Sequence, residues 1–414
     1  MLAVLREHSS APAASPLEPR RDREPLRTLV AAIDCPWPAV SGADLRNWQN
    51  VLSARALGPT VAAFLGSSDA PEEREGVVFR ALTDLPPGAV WRHPADSVTS
   101  AVEVPPEAVA RFAAIMRDFA PHAIVFAHPA LHALLPTPRP SGVRVILDFH
   151  NVESAVAART TRVRGLLRLR RWLDARAAAR ASAHLERAAM AVADAAWVCS
   201  PDEESRLRAA VGRATIHVVP NGIPRAATAG GVLRPSPNGG TSPFTLAFVG
   251  HLGYAPNVAA AHWLAQRLMP ALRRRLDAQL VIAGRSPAAA VRALANGAVK
   301  VMADPIDIEP ILAAADFAVL PLRVGGGTRF KALEAMSRGL PLIATAFAVE
   351  GLGLAEGTHY CRAETVGGFA RAIAGLAADR ALRERLRGAA WQHALAHFGP
   401  SAVARAVHEG LVAA

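Results

Sequence analysis

Short apolar runs recur along this chain, separated by Ala/Leu/Arg segments whose apolar positions repeat at helical spacing. Runs of the first kind read as strands and segments of the second kind as helices. Their alternation is the pattern of parallel sheets joined by crossover helices. In the first half strands are expected near Thr28–Ile33, Thr60–Leu65, Ala123–Ala127, Val143–Leu147, Ala195–Cys199 and Ile216–Val219. In the second half they fall near Thr245–Val249, Gln279–Ala283, Val299–Met302, Phe317–Leu320 and Leu342–Ala344, with a helix opening near Arg329. Each half therefore carries enough strands for a doubly wound parallel sheet of its own, which makes the fold class α/β.

Length agrees with two such units, because 414 residues exceed the size at which one hydrophobic core usually stops growing. Pro224–Pro243 is rich in Pro, Gly, Ser, Thr and Asn and reads as the linker between the halves. The expected organisation is a tail over residues 1–27, an N-terminal domain over 28–223, the linker 224–243, a C-terminal domain over 244–380 and closing helices over 381–414. The tail, rich in Pro, Ala and Arg, is set outside the fold as a disordered segment. Its acidic residues Glu18, Asp22 and Glu24 speak against an organelle transit peptide.

Apolar residues at 51% and charged residues at 20% describe a globular enzyme rather than a fibrous or disordered chain. Cys35, Cys199 and Cys361 lie far apart and form no C-x-x-C pair, so buried reduced thiols are expected rather than disulfides or a zinc site. No stretch approaches the roughly 20 apolar residues needed to span a bilayer. These readings place the protein in the cytoplasm. The net charge of +11 favours anionic partners without choosing among nucleic acid, lipid and phosphorylated small molecules. Arg159–Arg180 interleaves Val163, Leu166, Leu167, Leu169, Trp172 and Leu173 with arginines. That pattern fits peripheral contact with an anionic surface at the inner face of the cell membrane, and equally a solvated helix packing on its own domain.

Pro321–Gly339, PLRVGGGTRFKALEAMSRG, is the segment richest in candidate chemistry. Consecutive glycines between a strand and a helix let backbone N–H groups close on an anion, and the helix N-terminus adds partial positive charge. Arg329 and Lys331 stand in the first turn, where cations oppose the helix dipole unless an anion offsets them. A phosphate is the expected guest. Glu334, one turn on, can accept hydrogen bonds from a ribose. Taken alone the loop is also consistent with a plain Gly-rich turn.

Eight segments in order extend this picture: PWPAVSGADLRNW (36–48), DFHNVE (148–153), CSPDEESRL (199–207), VVPNGI (218–223), FVGHLGYAPNVAAAHWL (248–264), VIAGRSP (281–287), AAADFAVLPLRVGGGTRFKALEAMSRGLPLIAT (313–345) and EGL (350–352). Together they resemble the family-4 retaining glycosyltransferases, especially the branch that assembles bacterial exopolysaccharide and capsule, and the resemblance covers about residues 28 to 400. It implies the GT-B fold, in which two Rossmann-like domains face each other across a cleft. The C-terminal domain would bind a nucleotide diphosphate sugar and the N-terminal domain a glycan or lipid-linked acceptor, with the last helices crossing back onto the N-terminal domain.

On the same resemblance Glu334 matches the glutamate that holds the donor ribose, Gly42 the glycine of the first N-terminal loop near the donor phosphates, and His150 a histidine beside the transferred sugar. Asn151 and Glu153 either orient His150 or cap the following helix. The sequence departs from the family in two places. The first of the family's two glutamates falls at Gly326, so the donor sugar meets backbone amides of Gly325, Gly326, Gly327 and Thr328. The Arg and Lys clamps expected after the first C-terminal strand are also missing from GHLGYAPN, which begins at Gly250 and holds His251 and Asn257. Arg329, with Lys331 and Arg285, is then expected to supply the charge for the diphosphate.

The expected catalytic set is His150, Arg329 and Lys331, and the donor-binding set is Gly42, Gly250, Arg285, Gly325, Gly326, Gly327, Thr328 and Glu334. No Asp-x-Asp motif is present, so no metal or other cofactor is expected. Two other readings share the fold: a different GT-B enzyme such as a sugar-nucleotide epimerase, and a silent sugar-nucleotide-binding scaffold. No nucleic-acid recognition motif is present, so nucleic acid is not an expected partner.

Overall fold

The computed structural model describes residues 24–39, 41–66, 70–86, 91–92, 101–160, 169–223, 243–324 and 329–413. Two mainly parallel sheets dominate it. In the N-terminal half the strands are β1 (Thr28–Ala32), β2 (Thr60–Phe64), β3 (Glu73–Arg74), β4 (Val77–Ala81), β5 (Trp91–Arg92), β6 (Ala101–Val102), β7 (Ala123–Phe126), β8 (Arg144–Phe149), β9 (Ala195–Val198) and β10 (Ile216–Val218). Eight of them form one sheet in the order β10-β9-β8-β7-β1-β2-β4-β3, parallel throughout except for β3 against β4, while β5 and β6 pair as a small antiparallel ribbon. In the C-terminal half, β11 (Phe244–Val249), β12 (Ala278–Gly284), β13 (Val299–Ala303), β14 (Phe317–Leu320), β15 (Leu342–Ala344) and β16 (Cys361–Arg362) form an all-parallel sheet in the order β13-β12-β11-β14-β15-β16.

The helices that matter for the site are α1 (Gly42–Arg55), α2 (Pro106–Phe119), α3 (Glu153–Thr160), α4 (Leu169–Met190), α5 (Pro201–Val211), α6 (Ala255–Trp263), α7 (Phe330–Ser337), α8 (Val366–Ala378), α9 (Arg380–Phe398) and α10 (Pro400–Val412). They cover the sheet faces, so β1, β2, β7, β9, β14 and β15 are buried at every position. This explains why those strands read from sequence as unbroken apolar runs.

Beyond the expected strands lie β4, the β3 edge, the β5–β6 ribbon and β16. β8 runs two residues further than expected, through Asp148 to Phe149, because the Asp148 charge is neutralised inside the fold by Arg46. The fold also begins before residue 28: the Leu26 N–H donates to Leu57 O at 3.1 Å, and Arg27 bonds His122. Residues 1–23 of the tail, residues 224–242 of the linker and residues 161–168 of the basic segment lie outside the described residues. Within the described part of that segment Leu173 is half exposed while Ala175 is buried. Each of the three cysteines is half-buried rather than fully buried.

The C-terminal core continues into α9 through Leu386, Ala390, Ala394 and Phe398. After Gly399 the chain crosses over: Val403, Val407 and Leu411 of α10 join the N-terminal core beside Val30, Trp48 and Val51. Each such apolar side chain contributes about 1.5–3 kcal/mol relative to exposure, so this crossing helix ties the two units firmly. Among the described residues, no helix is long and apolar enough to cross a membrane.

Candidate active site

In both sheets the candidate residues leave the carboxyl ends of parallel strands, which is where open α/β sheets bind ligands. The C-terminal sheet reverses its winding between β11 and β14. Gly250 follows the first of these strands, and residues 321–324, which lead toward α7, follow the second. Both therefore flank the switch point. Gly284, at the end of β12, packs so closely that a Cβ there would lie 1.7 Å from Gly250 O, so the turns after β11 and β12 require this glycine.

Phe330, Leu333 and Met336 turn α7 toward the core, which leaves Lys331 and Glu334, three apart, on one partly open face. The Lys331 ammonium reaches back over the first turn of the β11 loop, since a Cβ on Gly250 would meet Lys331 Nζ at 2.8 Å and Asn257 Nδ2 at 3.2 Å. Asn257 itself donates to His251 O at 2.8 Å. Among the described residues, neither the Lys331 ammonium nor the Glu334 carboxylate makes a hydrogen bond or ion pair. Burial pushes the Lys331 pKa down, offset in part by the Glu334 charge, and the Glu334 pKa up, offset in part by the charges of Arg338 and then Lys331. An anion at Lys331 and a hydroxyl donor at Glu334 would relieve both.

Arg329 caps α7 from outside and turns away from this face. Its guanidinium donates to Glu350 Oε2 at 3.1 Å and lies over the Phe347 ring at 4.4 Å. Arg285 is exposed, and its carbonyl accepts from the Leu252 N–H at 2.8 Å. Gly325, Gly326, Gly327 and Thr328 lie outside the described residues.

Across the cleft, Gly42 is the first residue of α1, whose N-terminus is closed by a reciprocal pair: Asp44 N–H to Ser41 Oγ at 3.1 Å and Ser41 N–H to Asp44 Oδ2 at 2.8 Å. His150 follows β8. Its Nε2 lies 3.0 Å from Asn47 Oδ1 and 3.6 Å from Asp148 Oδ2. Asn47 of α1 therefore orients it, whereas Asn151 donates to Glu153 Oε1 at 3.2 Å and Glu153 opens α3.

Beneath His150 lies a network whose members the sequence reading did not single out. Arg46 and Asp148, exposed by 0% and 1%, form an ion pair at 2.5 Å. Arg46 also donates to Val219 O and Asn221 Oδ1, both at 2.8 Å, and Asn50 donates to Asp148 Oδ2 at 2.9 Å. All of Arg46, Asp148 and Asn221 stand within the quoted segments 36–48, 148–153 and 218–223, so the motifs carried the signal without distinguishing the residues. Among the described residues, no group of three or more His, Cys, Asp or Glu side chains is placed to hold a metal ion.

Burial pushes both His150 and the neighbouring His128 down from 6.5 to about 4. Both are then neutral when folded, and the unfolded chain binds more protons between those two values. Stability is therefore expected to fall as the pH drops from 6.5 toward about 4 through these two groups. Urea midpoints measured across that range should show less loss in a His128→Gln variant. An equal loss would remove His128 from the account.

Residues 42–222 match the model described as glycosyl transferase 4-like domain, and residues 243–379 match glycosyl transferases group 1. Among solved structures, sucrose-phosphate synthase from Thermosynechococcus elongatus aligns with a TM-score of 0.68 at 18% identity, over 92% of this chain and 96% of the other. Anabaena HepE in complex with UDP-glucose aligns at 0.63 and 15% identity, over 94% and 100%. A glycosyltransferase from Rickettsia africae aligns at 0.64 and 10%, over 94% and 100%. No curated protein shows significant sequence similarity to the chain. Two parallel-sheet domains with matches to both halves settle the assignment: the chain belongs to the group 1 glycosyltransferases and has the GT-B fold.

Proposed function

We propose that this enzyme transfers a sugar, with retention of configuration, from a nucleoside diphosphate sugar to a glycan or lipid-linked acceptor in polysaccharide assembly. The observation that carries the reading is the pair Lys331 and Glu334, side by side at the switch point, whose ammonium and carboxylate make no hydrogen bond or ion pair among the described residues. Lys331 over Gly250 supplies the positive charge that GHLGYAPN lacks, and the diphosphate lies against its ammonium. Glu334 takes the ribose hydroxyls. The solved complex of HepE with UDP-glucose makes a uridine nucleotide the first donor to test.

Little covalent machinery is needed from the protein. As the bond to the leaving diphosphate lengthens, negative charge gathers on its oxygens and the sugar becomes cationic. A fixed ammonium and backbone amides stabilise that charge without reorganising. The acceptor hydroxyl attacks from the face of departure and passes its proton to the leaving phosphate. His150, neutral and held by Asn47, directs the sugar through a hydrogen bond rather than a charge. Gly42 at the start of α1 closes the phosphate side from the N-terminal domain.

A thermal-shift series with uridine, guanosine, adenosine and thymidine diphosphates tests the donor class. A ligand at about 100 times its Kd stabilises the folded state by about 2.7 kcal/mol. One nucleotide is expected to raise the midpoint clearly, and no shift with any of them would overturn the reading. Glu334→Ala is expected to weaken that nucleotide by about tenfold, the worth of a hydrogen bond to a charged group, with the apo midpoint unchanged. Unchanged nucleotide affinity would take Glu334 out of the site. Binding without turnover of any nucleotide sugar would favour the silent scaffold.

A further inference from the structure

A row of alternating charges runs from one domain into the other. Arg329, immediately before α7, donates to Glu350 Oε2 at 3.1 Å. The other oxygen of Glu350 accepts from Arg206 Nη2 at 2.8 Å, on α5 of the N-terminal domain. Arg206 Nη1 donates to Glu203 Oε1, and the second oxygen of Glu203 accepts the Val152 N–H at 3.0 Å, two residues after His150. Each carboxylate thus spends one oxygen on each neighbour, and Arg206 spends one terminal nitrogen on each. The four side chains are 12%, 27%, 19% and 13% exposed in that order, shielded enough for charge-assisted bonds to be directional. The domains touch closely at the same place. Gly351, with φ of 78°, carries no Cβ where one would meet Ser200 Oγ at 2.8 Å.

We propose that Arg206 and Glu350 are positioning residues that fix the start of α7, and with it Lys331 and Glu334, relative to the His150 loop across the cleft. In its catalytic consequence this rests on the donor and acceptor roles given above; the mechanical coupling stands without them. Loss of the Arg206 charge leaves Glu203 and Glu350 facing each other with no cation between them, so the row parts at the domain boundary. Both ends are then free to move independently. The nucleotide's charged contacts, Lys331 and Glu334, lie within the C-terminal domain and Gly42 alone reaches it from across the cleft, so ground-state binding largely persists while the alignment of sugar and acceptor in the transition state is lost.

The test uses the full chain, comparing Arg206→Met and Arg206→Lys with the parent by backbone hydrogen exchange and by steady-state transfer. Arg206→Met is expected to speed exchange about tenfold both at residues 150–156 and at residues 329–333, with Arg206→Lys restoring part of the protection at both. In transfer, kcat is expected to fall about tenfold while the nucleotide Kd stays within about twofold. Faster exchange at 150–156 alone, or at neither segment, would overturn the coupling. So would a loss in nucleotide affinity equal to the loss in kcat. If the parent protein transfers no sugar from any nucleotide, the proposed function fails, and the exchange comparison still decides whether the two loops are coupled.

Discussion

Lys331→Met is expected to lower kcat/KM for sugar transfer by about 10²–10³, the cost of removing one fixed donor from a charge-stabilising site, while the apo protein keeps its stability. The two halves of that expectation come from the same observation. The ammonium has no acceptor among the described residues, and burial pushes its pKa down, so in the apo fold its charge is a cost. Removing it deletes no native contact on the polar side, and Met keeps the length and apolar stem of the side chain. Once a diphosphate is bound the balance reverses, because an unpaired cation over Gly250 gains an anion in a shielded pocket. Arg329→Met should behave differently. Its guanidinium already serves Glu350 and Phe347, so its removal would cost stability as well as rate. Paired melts with and without nucleotide, together with transfer kinetics, check this. Transfer retained within about twofold in Lys331→Met would exclude it from the diphosphate site.

The amino-acid pattern made the central strands legible because strands covered on both faces must be apolar at every position, as in β1, β7 and β14. It also made the α7 face legible, since the three-residue spacing of Lys331 and Glu334 places them together on any helix. What stayed hidden depended on partners distant in sequence. Asp148 ends an apolar run on paper, yet it continues β8 because Arg46, 102 residues earlier, neutralises it. Arg206 and Glu350 are 144 residues apart, and nothing local in CSPDEESRL or EGL announces that they meet. Arg329 obeyed its local expectation, a cation at a helix start, but an acidic side chain brought in after β15 claimed it. β16, two residues at a sheet edge, is too short to carry a period.

The Arg46–Asp148 pair is where the fold and the site depend on one another most. Asp148→Ala is expected to destabilise the protein by about 3–5 kcal/mol, because it leaves a guanidinium buried without its counter-charge. The remaining acceptors, Val219 O and Asn221 Oδ1, are neutral and cannot replace a carboxylate that accepts from Nε and Nη2 together. Asn50 Nδ2 loses its acceptor as well. Because β8, α1 and the turn after β10 all converge on Arg46, the loss should spread through the N-terminal domain and release His150 from its seat beside Asn47. The double variant Arg46→Met/Asp148→Leu removes both charges at once, so the burial penalty disappears with the attraction, and it is expected to be more stable than Asp148→Ala alone. Urea unfolding of the three proteins, read at constant slope, separates the cases. A double variant no more stable than the single one would mean that the guanidinium's bonds to Val219 and Asn221, rather than its pairing with Asp148, hold this corner of the fold together.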